Sequence, residues 1–130
     1  MSMMPTTWGE LRKLAHDAID EGDYPLADKW VQQMIEEAER GGEAGQLASA
    51  YFSLGVLRHA EGELEEAEEA FETTVEYDVR AHGPAHEGVA EALRSLGLVQ
   101  IDRIDGKNGV PAARRAVATL RRSAEIYTKV

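Results

Sequence analysis

The chain contains no cysteine. That excludes a disulfide framework and any thiol nucleophile, and makes a reducing cytoplasm its expected location. No apolar run approaches the roughly 20 residues needed to cross a bilayer, so no membrane partner is expected. The first residues, MSMMPTTWGELRK, lack a long apolar stretch behind a basic start, so no secretory leader is expected either. Positive charge is scarce: 14 Lys and Arg face 24 Asp and Glu, a formal net charge of -10. Such a balance argues against nucleic acid and anionic lipid as general partners.

Catalytic constellations are also missing. No Ser or Thr sits in a nucleophile elbow. Gly106-Lys107-Asn108-Gly109 carries glycines and one lysine but has neither the preceding strand nor the GKS/T ending of a phosphate loop. The glutamates are strung along one helix rather than set across a cleft, which leaves acid–base chemistry without a site. His82 and His86 are four apart, the spacing of a helical metal pair, but Gly83-Pro84 lies between them and argues against a helix there. The expectation is therefore no enzyme, no cofactor and no metal.

What is present is helix, at a length of 130 residues that suits one domain. In the stretch Ala48 to Asp78, Tyr51, Leu54, Gly55, Leu57 and Arg58 fall at spacings of three, four and seven. That is the one-face periodicity of an amphipathic helix. Gly62 interrupts the pattern, and Leu64, Ala67, Ala70, Phe71 and Val75 resume it. Each half has an apolar stripe too narrow to be stable alone, so the halves must pack on each other and on neighbours.

Upstream, Thr7-Trp8-Gly9-Glu10 has the form of a capping box and predicts a helix from there to about Glu21. Asp23, as N-cap with Pro25 in the first turn, opens a second helix over about 24–40, closed by Gly41-Gly42. Trp8, Leu11, Leu14-Ala15, Gly22, Ala27 and Val31 each align with a central residue at a constant offset of 40: Ala48, Tyr51, Leu54-Gly55, Gly62, Ala67 and Phe71. Downstream, Leu96-Gly97 stands 42 residues beyond Leu54-Gly55 in a third pair, whose last helix is placed near 110–129 behind Pro111. The predicted repeats are 7–42, 43–82 and 85–129 of a single domain.

The placement of Tyr51, Leu54-Gly55, Gly62, Ala67 and Phe71 resembles the tetratricopeptide repeat. The periods of 40 and 42, with the segment HGPAHEGVAEALRSLG, resemble the longer variant of kinesin light chains and many bacterial multi-repeat proteins. The resemblance spans about residues 8–128 and implies an all-α fold, a right-handed α-solenoid of three helix-turn-helix pairs, six helices in all. It also implies a peptide-binding concave groove lined by the first helix of each pair. Mapped onto this chain, the groove positions are Arg12, His16 and Ile19, then Phe52, Val56 and His59, then Glu91, Arg94, Leu98 and Ile101. The alternative is that Phe52, Val56 and Leu98 simply complete the core between helices. A chaperone-type carboxylate clamp is not expected, because His16, Ser53 and Glu91 are poor substitutes for its basic and amide groups.

The two ends differ in charge. Residues 1–100 carry 7 Lys/Arg against 21 Asp/Glu, while residues 101–130 carry 7 against 3. Glu61, Glu63, Glu65, Glu66, Glu68, Glu69, Glu72 and Glu76 read as the solvated back of the central pair. Only three residues follow Tyr127, too few for the polar helix that usually covers the last repeat. Arg114, Arg115, Val117, Arg121 and Arg122 are therefore candidates for self-association.

The expected function is a non-catalytic adaptor or scaffold that binds another protein, as an amphipathic helix or a peptide with an acidic end. Self-assembly through the basic last helix, with a structural or regulatory role, is the alternative. A ligand-sensing repeat domain is a third reading.

Overall fold

Helix boundaries in the computed structural model fall largely where capping chemistry puts them. The structure describes residues 7–129; the first six residues of the segment in which no secretory leader is expected lie outside them. The first helix, α1 (Trp8–Asp20), is N-capped by Thr7, whose hydroxyl accepts from the Glu10 amide at 3.1 Å. Asp23 caps α2 (Tyr24–Gly41) in the same manner through the Leu26 amide at 3.3 Å. The second pair is α3 (Ala44–Ala60) and α4 (Leu64–His82), and the third is α5 (Glu87–Asp102) and α6 (Gly109–Tyr127). The described residues thus form an α-solenoid of three helix pairs.

The repeat is visible in the turns at atomic level. The Gly22 amide donates to Ile19 and the Asp23 amide to Ala18; forty residues on, Gly62 donates to His59 and Glu63 to Arg58. Both are Schellman closures, and both need the positive φ that Gly22 and Gly62 supply at 78° and 80°. The third turn is built differently. Asp105 accepts from the amides of Lys107 and Asn108, and Asn108 Oδ1 accepts from the Asp105 amide. These bonds hold the Asp105 carboxyl below its ordinary pKa. Side-chain turns of this type set the geometry that a left-handed glycine sets in the first two pairs.

Each helix packs on its neighbours in sequence, and α1 also touches α3. Two apolar clusters result. One joins Leu11, Ala15, Val31, Met34 and Leu57; the other joins Ala67, Phe71, Val89, Leu93, Leu96 and Val99, and Val56 borders both. Two glycines make the helix crossings close. A Cβ on Gly55 would lie 2.5 Å from the Phe71 ring, and one on Gly97 would lie 2.5 Å from Leu120. In the first pair the aligned positions hold Ala15 and the smaller Val31, both fully buried. A methyl is tolerated there because the facing side chain is smaller.

Two sequence expectations are corrected. Ile19, placed in the groove by its register, is only 8 % exposed and belongs to the first core cluster. Glu68, counted with the solvated glutamates, is 5 % exposed, paired with Arg103 and hydrogen-bonded by Gln100 Nε2 at 3.3 Å. A middle helix is covered on more than one side, so its polar face is not automatically its wet face.

Candidate functional site on the shared face of α1, α3 and α5

The start of α3 is rich in small residues (Ala44, Gly45, Ala48, Ser49), and that leaves room for a cleft. About 140 Å³ of space lies between α1, α3, the end of α4 and the start of α5. It is lined by Arg12, Gly45, Ala48, Ser49, Phe52, Thr74, Asp78, Gly88 and Glu91. Arg12 also borders a shallow neighbouring depression with Gly9, Lys13 and His16. The cleft is bordered by the apolar Ala48 and Phe52, by the Arg12 cation and by the Asp78 and Glu91 carboxylates.

Of the predicted groove residues, the structure brings Arg12, Phe52 and Glu91 together here. Phe52 is half-buried, with its ring 5.5 Å from Phe71 and tilted by 56°, so it serves packing and cleft at once. Val56 is spent on packing between the two clusters. His16 is half-buried, with Nε2 2.9 Å from the Ser53 hydroxyl. Burial first, and then the Arg12 charge, hold the His16 imidazole below its ordinary pKa. Ser53 is itself fully buried, so it offers nothing to a carboxylate clamp.

Further along, Arg94, Leu98 and Ile101 do not line the cleft but stay exposed on α5, with Leu98 and Ile101 at 42 % and 44 %. Together with Glu91 they occupy one side of the helix, at spacings of three, four and three. His59 Nε2 lies 2.7 Å from Asp102 and bridges α3 to the end of α5. The face is therefore polar and tight near α1, and apolar and open toward the end of α5.

Gly45, Ala48, Ser49, Thr74, Asp78 and Gly88 line the cleft and were not anticipated. The available signal was the absence of bulk in Ala44, Gly45 and Ala48, which a search for apolar periodicity passes over. Gly88 has a direct reason to be glycine. A Cβ there would stand 2.7 Å from the Asp78 carboxylate.

A second surface lies on the outer side of α6. Gly109, Val110, Ala113, Arg114, Val117, Ala118 and Arg121 border an open depression of about 460 Å³. Val110 and Val117 are 65 % and 52 % exposed. Arg114, Val117 and Arg121 thus share a face. Arg115 points elsewhere, with Nη1 3.9 Å from Glu68, and Arg122 is exposed but does not border the depression.

One rejected constellation changes status. His82 ends α4 and His86 caps α5, yet the chain reversal between them stacks the two rings 4.2 Å apart. Asp78 completes a group whose three donor atoms lie within 4.8 Å of one another. A loop, not one continuous helix, brings the two histidines together. Among the described residues, no helix is long and apolar enough to cross a membrane.

Residues 46–103 match the model of the tetratricopeptide repeat family. The match covers most of α3, all of α4 and α5, and the loops between them. The 40- and 42-residue periods agree with this variant of the repeat. Repeats of this family generally mediate protein–protein interaction and are typically non-catalytic. Comparison with curated proteins finds no match.

Proposed function

We propose that this chain, which carries tetratricopeptide repeats across residues 46–103, is a non-catalytic adaptor that holds a segment of another protein along α1, α3 and α5. The observation that supports this reading is the cleft that sets the exposed Arg12 guanidinium beside the Phe52 edge. One apolar side chain of a partner enters the cleft, and a nearby carboxylate pairs with Arg12. The exposed stripe of Arg94, Leu98 and Ile101 on α5 extends the contact with an amphipathic helix. A peptide library selected on this chain should yield amphipathic sequences with an acidic end. The Arg12→Glu, Arg94→Ala variant, altered only at exposed positions, should bind those peptides about tenfold or more weakly. Equal affinity for the variant and the unaltered chain would show that the groove is assigned to the wrong face.

The open apolar depression on α6 favours a second role, assembly of two copies. Arginines 114 and 121 rim that depression, and glutamates 65, 69 and 76 lie exposed on α4. A second copy would then meet the basic apolar face of α6 with its acidic α4, an attraction that salt weakens. Sedimentation should give a dimer at low salt that dissociates at high salt and is absent in Val117→Asp. A monomer at every concentration and salt would eliminate this role.

A further inference from the structure

We propose that Asp78, His82 and His86 form a binding site for one divalent transition metal ion, with zinc as the best fit. The three side chains come from the end of α4 and the start of α5, and their donor atoms all lie within 4.8 Å of one another. Two imidazole nitrogens and one carboxylate oxygen are a zinc donor set, at bond lengths of about 2.0–2.2 Å. Three protein ligands leave one tetrahedral position for water. Hard cations such as Mg²⁺ and Ca²⁺ fit poorly, since they require mostly oxygen ligands and more of them.

The hydrogen bonding around His86 points the same way. Its Nδ1 lies 2.8 Å from Asp78 Oδ2 and 3.1 Å from the Gly88 amide nitrogen. A protonated Nδ1 satisfies the carboxylate but turns a proton toward the amide donor. An unprotonated Nδ1 caps Gly88 but presents its lone pair to the lone pairs of a largely buried carboxylate. No single proton position satisfies both contacts. A cation shared by Asp78 and His86 turns the repulsion between these acceptors into attraction. The third ligand, His82, is exposed at the last position of its helix and stacks on the His86 ring. The three donor atoms, all within 4.8 Å of one another, must draw together to the roughly 3.3 Å typical of ligands on one zinc.

The backbone makes room for the arrangement. Gly83, at φ 89°, reverses the chain after His82, and Gly88 leaves space for the Asp78 carboxylate. The bound ion would tie the second repeat to the third at the junction where α4 hands over to α5. Binding would raise the thermal unfolding midpoint.

The test is calorimetric titration of the untagged full chain with Zn²⁺, with Mg²⁺ as control and Co²⁺ as a spectroscopic probe. One Zn²⁺ per chain is expected, no heat with Mg²⁺, and an intense visible Co²⁺ band from four-coordinate geometry. His82→Ala should weaken binding by about tenfold or more. The same loss is expected for His86→Asn, in which the amide oxygen can still cap Gly88. Circular dichroism of each variant without metal separates lost ligation from lost folding. If both variants fold and bind Zn²⁺ as tightly as the unaltered chain, the site is not where we place it. Only the weak bands of six-coordinate Co²⁺ would equally overturn the assignment.

Discussion

Replacing Phe71 with alanine is expected to destabilise the chain by about 3–5 kcal/mol, with a matching drop in the urea midpoint. The ring is 1 % exposed and forms the floor of the second core cluster. It projects from α4 onto α3 and packs with residues of α5, so its loss loosens both the central pair and its junction with the third. Gly55 makes the prediction sharper. A methyl added there would meet three Phe71 ring atoms at 2.5–2.8 Å, well inside van der Waals contact.

Gly55→Ala alone should therefore cost about 1–3 kcal/mol through the forced shift of the helices. That clash outweighs the roughly 1 kcal/mol by which alanine is the better helix former. In the Phe71→Ala background the clash is gone and only the helix preference remains. The same Gly55→Ala change should then stabilise by up to about 1 kcal/mol. The reversal of sign is the signature of two groups competing for one space. If the two changes simply add, the contact does not govern the crossing of α3 and α4.

The second large effect is expected at Glu68. Its carboxylate accepts from Gln100 and pairs with Arg103, at the buried junction between α4 and α5. Removing it as Glu68→Ala leaves the buried Gln100 amide without its acceptor. Gln100 Oε1 already has no partner among the described residues. The expected cost is about 1–3 kcal/mol. It falls below the ~3–5 kcal/mol of a fully buried ion pair because the Arg103 side chain is 38 % exposed and can return to water. Replacing both partners by leucine should recover most of the loss, since no buried polar group is then left unmade.

Glu72 supplies an independent readout for that variant. Burial first, then the Glu68 charge, hold the Glu72 carboxyl above its ordinary value. The stabilising share of Glu72 is therefore present at low pH and is lost as pH rises through its folded pKa. Without Glu68, the Glu72 titration followed by NMR should move down toward the ordinary carboxylate range. An unmoved titration together with unchanged stability would mean that Glu68 is not at the centre of this network.

Much of this architecture was legible in the amino acids because it depends on local chemistry. Thr7, Asp23, Gly22, Gly42 and Gly62 mark helix ends through bonds and φ values set within a few residues. The start of α3 carries no such mark. Ala44, Gly45 and Ala48 give no apolar contrast, and Glu43 makes no side-chain cap bond. Of the candidate site, Arg12, Phe52 and Glu91 were found from their register on the first helices. Ile19 and Val56 share that register, but they face neighbouring helices rather than solvent.

The sequence by itself determined three helix pairs, the period that relates them, the turns of the first two, and the concentration of acid in the body and base at the end. Each of these follows from interactions a few residues apart or from composition. Only the tertiary structure decided which polar groups are buried, which large residues remain open, and that Asp78, His82 and His86 meet. A helix in a stack has several faces in contact. Which contact a given face makes depends on crossing angles and loop reversals that join residues distant in sequence or separated by a turn. Glu68 with Arg103, His16 with Ser53, and the histidine pair across Gly83 all arise in that way.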